Sequence, residues 1–222
     1  MISQKYYIDE FSHDRHIDSA YIITLSNNEI SKKLSDRCKK SCDDIEMPNK
    51  IWEGFDATNN EVTKIPEHLE NQYFVNWLKV HNSDLTKRQI ACVLSHFSLW
   101  CHCLTIDKPI VILEHDALML KPLRFFDYYN QILYLGNKEQ LQEGRFTRIP
   151  AHGTWYNTKL RFINRAHAYA IDPQIAKNMI TFVIKTGIIQ SLDGMIRSDI
   201  FPIVQEDLYA IDMPGISTIH NE

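Results

Sequence analysis

The stretch VILEHDALML, residues 111–120, decides how this chain is read. With Ile110 it makes an apolar run that meets Glu114, His115 and Asp116 and turns apolar again at Ala117. So short a run, opened by Pro109, predicts a buried strand. Just upstream, Ile90, Val93, Leu94, Phe97, Trp100, Cys101 and Leu104 recur at helical spacing, which predicts a core-facing helix. In a parallel α/β sheet, ligand chemistry gathers at the carboxyl ends of such strands. Glu114 and Asp116 therefore stand where a site is expected. If the strand continues, both face one side and His115 points away.

Working outward, Tyr21 to Leu25 is a short apolar run closed by the turn residues SNN, a second buried strand. EISKKLSDRCKKSC then reads as a helix with a solvated basic face, and IWEGFDATNNE as a strand running into a polar loop around Asp56. Beyond the central stretch, residues 136–161 lack periodicity and have the character of a functional loop or lid. AHAYAI is another strand. Asp172 and Pro173 read as N-cap and first residue of a helix with Ile175, Met179, Ile180, Val183 and Ile184 along its buried stripe, ending at Gly187. Short strands follow through FPIVQ and LYAID. Strands alternating with helices predict an α/β fold with a largely parallel sheet. Neither GxGxxG nor GxxxxGK[ST] occurs, so a bound nucleotide would need another means of neutralising its phosphates.

Composition narrows the field. At 222 residues the chain can bury a sizeable core. A net charge of −4 gives no overall basic field of the kind a nucleic-acid binder shows. Five cysteines form an odd set with no regular framework, and no apolar leader follows the first methionine, which predicts free thiols in a reducing, cytoplasmic setting. No run is read as reaching the roughly 18 apolar residues of a membrane span.

A divalent cation is one way to hold a phosphate without a glycine-rich loop, and Mg²⁺ or Mn²⁺ would take carboxylates such as Glu114 and Asp116. The bland reading of these residues is a polar strand end. Cys92 and His96, four apart on the predicted helix, carry soft donors, but one helix does not easily converge its side chains on an ion, and structural zinc is set aside. Asp193 reads as the N-cap of a short helix or, near a metal, as a base for an acceptor hydroxyl. His220 belongs to a terminal tail.

Taken together, these pieces resemble glycosyltransferase family 25, the lipooligosaccharide-biosynthesis type that includes collagen galactosyltransferases. RQIACVLSHFSLW followed by VILEHDALML is similar to the family's Gly-Cys-x-x-Ser-His-x-x-x-Trp helix and Ile-Leu-Glu-Asp-Asp strand end. Cys92, Ser95, His96, Trp100, Ile112, Leu113, Glu114 and Asp116 match. YIITLSNN with Arg37, FDATNN, HAYAIDPQIAKNMI, SLDGMI and GISTI extend the likeness. His115 replaces an acid, Ala91 a usual glycine, and Gln89 a common acid.

The resemblance implies a single GT-A, Rossmann-like domain over residues 1–222, with a nucleotide-binding half at about 18–120 and an acceptor-side half at about 121–222. It implies a nucleotide sugar, a UDP-sugar by expectation, bound with Mn²⁺ or Mg²⁺. By the same resemblance Asp116 is expected as the principal metal or diphosphate contact, Glu114 as its partner and His220 as a third ligand. Thr24, Leu25, Ser26, Arg37, Asp56, Ser95, His96 and Glu114 are expected on the donor side, and Asp193 as the base of an inverting transfer. The expected acceptor is a lipooligosaccharide-type glycan or a hydroxymethylated pyrimidine in viral DNA. For the latter, Lys121, Arg124, Arg145, Arg148, Lys159, Arg161 and Arg165 supply charge, and Trp155 and Tyr156 flat faces. The rivals are a catalytically idle nucleotide- or glycan-binding scaffold, which His115 supports, and a metal-dependent phosphohydrolase.

Overall fold

A computed structural model describes residues 15–59, 78, 80, 84–126, 130–137, 141–144, 160–163, 165–205 and 207–212. Its strands are β1 (Ala20–Thr24), β2 (Asn49–Glu53), β3 (Ile110–Glu114), β4 (Ala117–Met119), β5 (Ile132–Tyr134), β6 (Leu141–Gly144), β7 (Leu160–Ile163), β8 (Ala168–Ile171), β9 (Ile203–Val204) and β10 (Ala210–Asp212). Its helices are α1 (Glu29–Asp44), α2 (Lys87–Ile106), α3 (Pro173–Thr186) and the single turn α4 (Leu192–Met195), with a short 3₁₀ segment at Ala57–Asn59.

Six strands form the central sheet in the order β2-β1-β3-β8-β5-β9. β1 pairs in parallel with both β2 and β3, and β5 with β9, whereas β8 runs antiparallel to β3 and β5. Five strands thus point one way and β8 the other. The fold is α/β with a mostly parallel, Rossmann-like sheet, as the alternation of elements predicts.

Side-chain alternation splits the core into two layers. Tyr21, Ile23, Ile110, Ile112, Tyr134, Tyr169 and Ile171 face a layer containing α2 and α3. Ala20, Ile22, Val111, Leu113, Leu133, Ala168 and Ala170 face the layer of α1 and β4. Each fully buried Leu, Ile or Val contributes on the order of 1.5–3 kcal/mol. β3, with Ile110 to Leu113 at 0% exposure, is anchored on both faces, which holds its carboxyl end in place.

α2 is long and apolar enough, by length and composition, to cross a bilayer, which the sequence reading did not anticipate; most of it is buried in the fold as a core helix. It starts with a capping box between Thr86 and Gln89, so the glutamine that departs from the family pattern completes the helix start. α3 begins as predicted, with Asp172 accepting from Ile175 N and Pro173 in the first turn, and stops at Gly187, whose φ of 71° suits glycine.

Two expectations fail. β3 ends at Glu114, and His115 and Asp116 form a turn, so His115 does not point away from the site. Asp193 is not an N-cap: Ser191 holds that position, and the Asp193 carboxylate instead accepts from the backbone N–H groups of Arg165 and Ala166 at 3.0 and 3.1 Å. Part of the aperiodic region is regular, since β6 and β7 pair as an antiparallel ribbon. GISTI, Trp155 and Tyr156 lie outside the described residues.

Candidate functional site

Parallel strands ending side by side leave a crevice at their carboxyl edge, and here it is a cavity of about 210 Å³. Ile23, Leu25, Asn27 and Asn28 border it from the end of β1, Phe55 to Thr58 from the loop after β2, and Glu114 and His115 from the end of β3. α2 supplies Arg88, Ala91, Cys92, Ser95 and His96. Those five positions are i, i+3, i+4, i+7 and i+8, one face of a helix.

The walls are fixed by hydrogen bonds from these same residues. Ser95 Oγ donates to Ala91 O at 2.8 Å and accepts from Phe55 N at 2.9 Å, so α2 holds the loop after β2. Asp56 turns that loop by accepting from Thr58 N and Oγ1. Across the cavity, Asn28 caps α1 by accepting from Ser31 N. Ser31 Oγ accepts from Leu25 N and lies 3.1 Å from His115 Nδ1, which ties His115 to the start of α1. Burial lowers the His115 pKa below the ordinary histidine value, and the charge of Glu114 opposes that shift.

Glu114 shares its side of β3 with Ile110 and Ile112 and so faces α2. His96 Nε2 approaches its Oε1 at 3.3 Å and Cys92 Sγ at 3.8 Å. Behind His96 lies a buried relay: Trp100 Nε1 donates to Tyr169 Oη at 2.9 Å, and Tyr169 Oη meets His96 Nδ1 at 2.8 Å. The indole can only donate, so Tyr169 Oη accepts there and bridges Trp100 to the His96 ring. This is what the Ser-His-x-x-x-Trp pattern builds. Burial raises the Glu114 pKa, but the imidazoles of His96, His115 and His167 more than offset this, and the carboxyl lies below its ordinary value.

Asp116 has different surroundings. Its neighbours include Asp212, which pairs with Ala117 across β4 and β10, and Arg165, which is bonded to Asp212. Burial, then the charges of Glu114 and Asp212, pushes its pKa up to about 7, and its Oδ1 is buried with no hydrogen-bond partner. Asp193 is likewise raised, by burial first and by Glu114 second, while its two backbone donors pull the other way.

Of the donor-side residues expected from sequence, Leu25, Asp56, Ser95, His96 and Glu114 border the cavity. Thr24 is buried, with Oγ1 donating to Ile22 O; Ser26 bonds Glu53; Arg37 is a half-buried residue of α1; none of the three borders the cavity. His220 lies outside the described residues. Asn27, Asn28, Arg88 and His115 were not singled out as cavity residues. For Arg88 the signal was available, because it precedes Cys92 by one helical turn.

A mostly parallel sheet with one reversed strand, and a cavity over the ends of β1, β2 and β3, defines a Rossmann-like α/β domain of the ligand-binding kind. The profile of glycosyltransferase family 25 (LPS biosynthesis protein) matches residues 17–196, and the chain belongs to that family. It is a glycosyltransferase by family, with a nucleotide sugar and an acceptor as its partners. A comparison with curated proteins gives no match.

Proposed function

We propose that the chain moves a hexosyl or pentosyl group from a UDP-sugar to a hydroxyl of a lipooligosaccharide-type glycan in the cytoplasm, with inversion at the anomeric carbon. The observation that carries this reading is the cavity at the ends of three parallel strands, bordered by Arg88, Glu114 and the capped start of α1. A helix start and a guanidinium both suit phosphate oxygens. At about 210 Å³ the cavity suits part of a nucleotide sugar rather than the whole donor.

A hard divalent cation fits beside Asp116. Its Oδ1 is buried and unpartnered, and the guanidinium nearest in charge, Arg165, is engaged by Asp212. Asp116, with Glu114 and with His220 from the terminal segment, would hold Mn²⁺ or Mg²⁺, which supplies positive charge for the departing nucleoside diphosphate. Asp193 would take the acceptor's proton. The N–H groups of Arg165 and Ala166 aim its carboxylate, and its raised pKa makes it a better base near neutral pH.

The glycan is favoured over DNA as acceptor by the state of the basic residues. Lys121 is paired with Asp207, Arg124 with Glu46 and Arg165 with Asp212, so these cations are already matched by carboxylates. Arg145, Arg148 and Lys159 lie outside the described residues.

The test is calorimetric titration of UDP into the protein with Mn²⁺ and again with EDTA, followed by UDP-sugars with glycan and modified-DNA acceptors. Metal-dependent UDP binding and turnover on a glycan are expected. Absence of binding would favour the idle scaffold, and rapid hydrolysis without acceptor the phosphohydrolase. Turnover on DNA that falls steeply with salt would replace the glycan.

A further inference from the structure

Cys92 and His96 are one helical turn apart on the face of α2 turned toward Glu114. The Cys92 sulfur, a His96 ring nitrogen and a Glu114 carboxylate oxygen all lie within 4.8 Å of one another. Two of the separations are 3.3 Å and 3.8 Å, His96 Nε2 and Cys92 Sγ each to Glu114 Oε1. Bonds of about 2.0–2.3 Å in a tetrahedral arrangement place ligand atoms about 3.3–3.8 Å apart. One ion therefore spans the cluster with little rearrangement.

A second observation points to a ligand there. The His96 side chain is 1% exposed, and its Nε2, 3.3 Å from Glu114 Oε1, is held against that carboxylate without the alignment of a hydrogen bond. Its Nδ1 is 2.8 Å from Tyr169 Oη, the kind of outer partner that fixes a ligating imidazole. All three residues border the cavity, so a fourth coordination position opens onto it. Sulfur and nitrogen donors suit a thiophilic ion, not Mg²⁺ or Ca²⁺.

We infer that Cys92, His96 and Glu114 form a binding site for one thiophilic divalent cation, of which Zn²⁺ is the best fit, with its open side on the cavity. Binding replaces the Cys92 thiol proton, which leaves to solvent, and requires the neutral His96 ring to carry its proton on Nδ1, toward Tyr169 Oη, so that Nε2 can ligate. Thiolate and carboxylate then balance the charge of the ion. The inference does not rest on glycosyl transfer. It does imply that a thiophilic ion and the Mn²⁺ or Mg²⁺ proposed at Asp116 compete for Glu114.

The test is Co²⁺ titrated into the full chain without nucleotide. A thiolate-to-cobalt band in the near ultraviolet, intense visible bands of a tetrahedral ion and displacement by one equivalent of Zn²⁺ are expected. Cys92→Ser removes the thiolate band, whereas Cys101→Ser, which changes a buried thiol outside the cluster, keeps it. Glu114→Gln weakens Zn²⁺ binding by at least the roughly tenfold loss that follows removal of even an outer partner. Thermal melts establish that each variant is folded. A cobalt spectrum with no thiolate band, or a band that survives Cys92→Ser, overturns the site. Because no donor or acceptor is present, failure here and failure of UDP binding are read separately.

Discussion

Glu114 and Asp116 are two residues apart, yet their surroundings are opposite in kind. Glu114 meets His96, which is backed by Tyr169 and Trp100, and its carboxyl is held below the ordinary range. Asp116 is half-buried near Asp212 and Glu114, keeps a buried oxygen without a partner, and is pushed up to about 7. A buried carboxylate is costly unless something compensates its charge. The protein supplies that compensation for Glu114 from its own side chains and leaves Asp116 short of it. Two acids of one motif therefore have different needs: the first is built in place, and the second wants a cation.

The largest effect that tests this contrast is at Asp116. Asp116→Ala is expected to lower transfer by on the order of 10²–10³ or more, the scale on which removing one electrostatic contact to a developing charge acts. Its melting temperature without metal should hold or rise, because an uncompensated buried charge has gone. Steady-state kinetics and a thermal melt with and without Mn²⁺ measure both. Retained activity would break the contrast. Asp193→Asn comes next: turnover should fall by about 10²–10⁴ with UDP affinity unchanged, since a base acts on the acceptor's proton. Equal losses in turnover and donor affinity would make Asp193 a structural acceptor for Arg165 and Ala166 N–H and nothing more.

How far this contrast could be read in advance follows from where the backbone is regular. The helical spacing from Ile90 to Leu104 and the run Ile110 to Leu113 foretold α2 and β3 because periodicity is strong where burial is complete. β6 was missed because LQEG carries one apolar residue, Leu141, and no alternation. The direction of His115 was misread because alternation holds only while a strand lasts, and β3 stops one residue earlier. For Asp193 the cap reading, set beside its reading as a base, arose because a cap is the local use of such a residue. Its actual partners are 27 and 28 positions away in sequence, and nothing local announces them. Cys92 and His96 were set aside as zinc ligands because one helix does not easily converge its side chains on an ion; that Glu114, from the end of β3, stands within 4.8 Å of both donors is a tertiary fact with no local signal.

A smaller effect sharpens the Glu114 side. Tyr169→Phe removes the hydroxyl shared by Trp100 Nε1 and His96 Nδ1 and leaves two buried polar atoms unpaired. The expected destabilisation is about 2–4 kcal/mol, read as a lower denaturation midpoint with an unchanged slope. If the relay also aims His96, the loss of activity should exceed that of a variant equally destabilised elsewhere. Asp172→Ala, which removes an N-cap and the acceptor for Asn130 N, is such a control.

The smallest effect falls on the link between α2 and the loop that carries Asp56. Ser95→Ala leaves the Phe55 N–H without its acceptor in a buried place, a cost of about 1–3 kcal/mol. The Ala91 carbonyl loses only an extra donor, since it lies within the helix ladder, so the low half of that range is expected. Asp56 itself still turns its loop through Thr58, but the loop is released from α2. UDP affinity should therefore weaken about threefold to tenfold, while the rate at saturating donor stays within about twofold, the pattern of lost ground-state binding. A drop in turnover as large as the drop in affinity would mean that Ser95 acts on the reacting end of the donor, and would draw the catalytic boundary across the cavity to the β2 side.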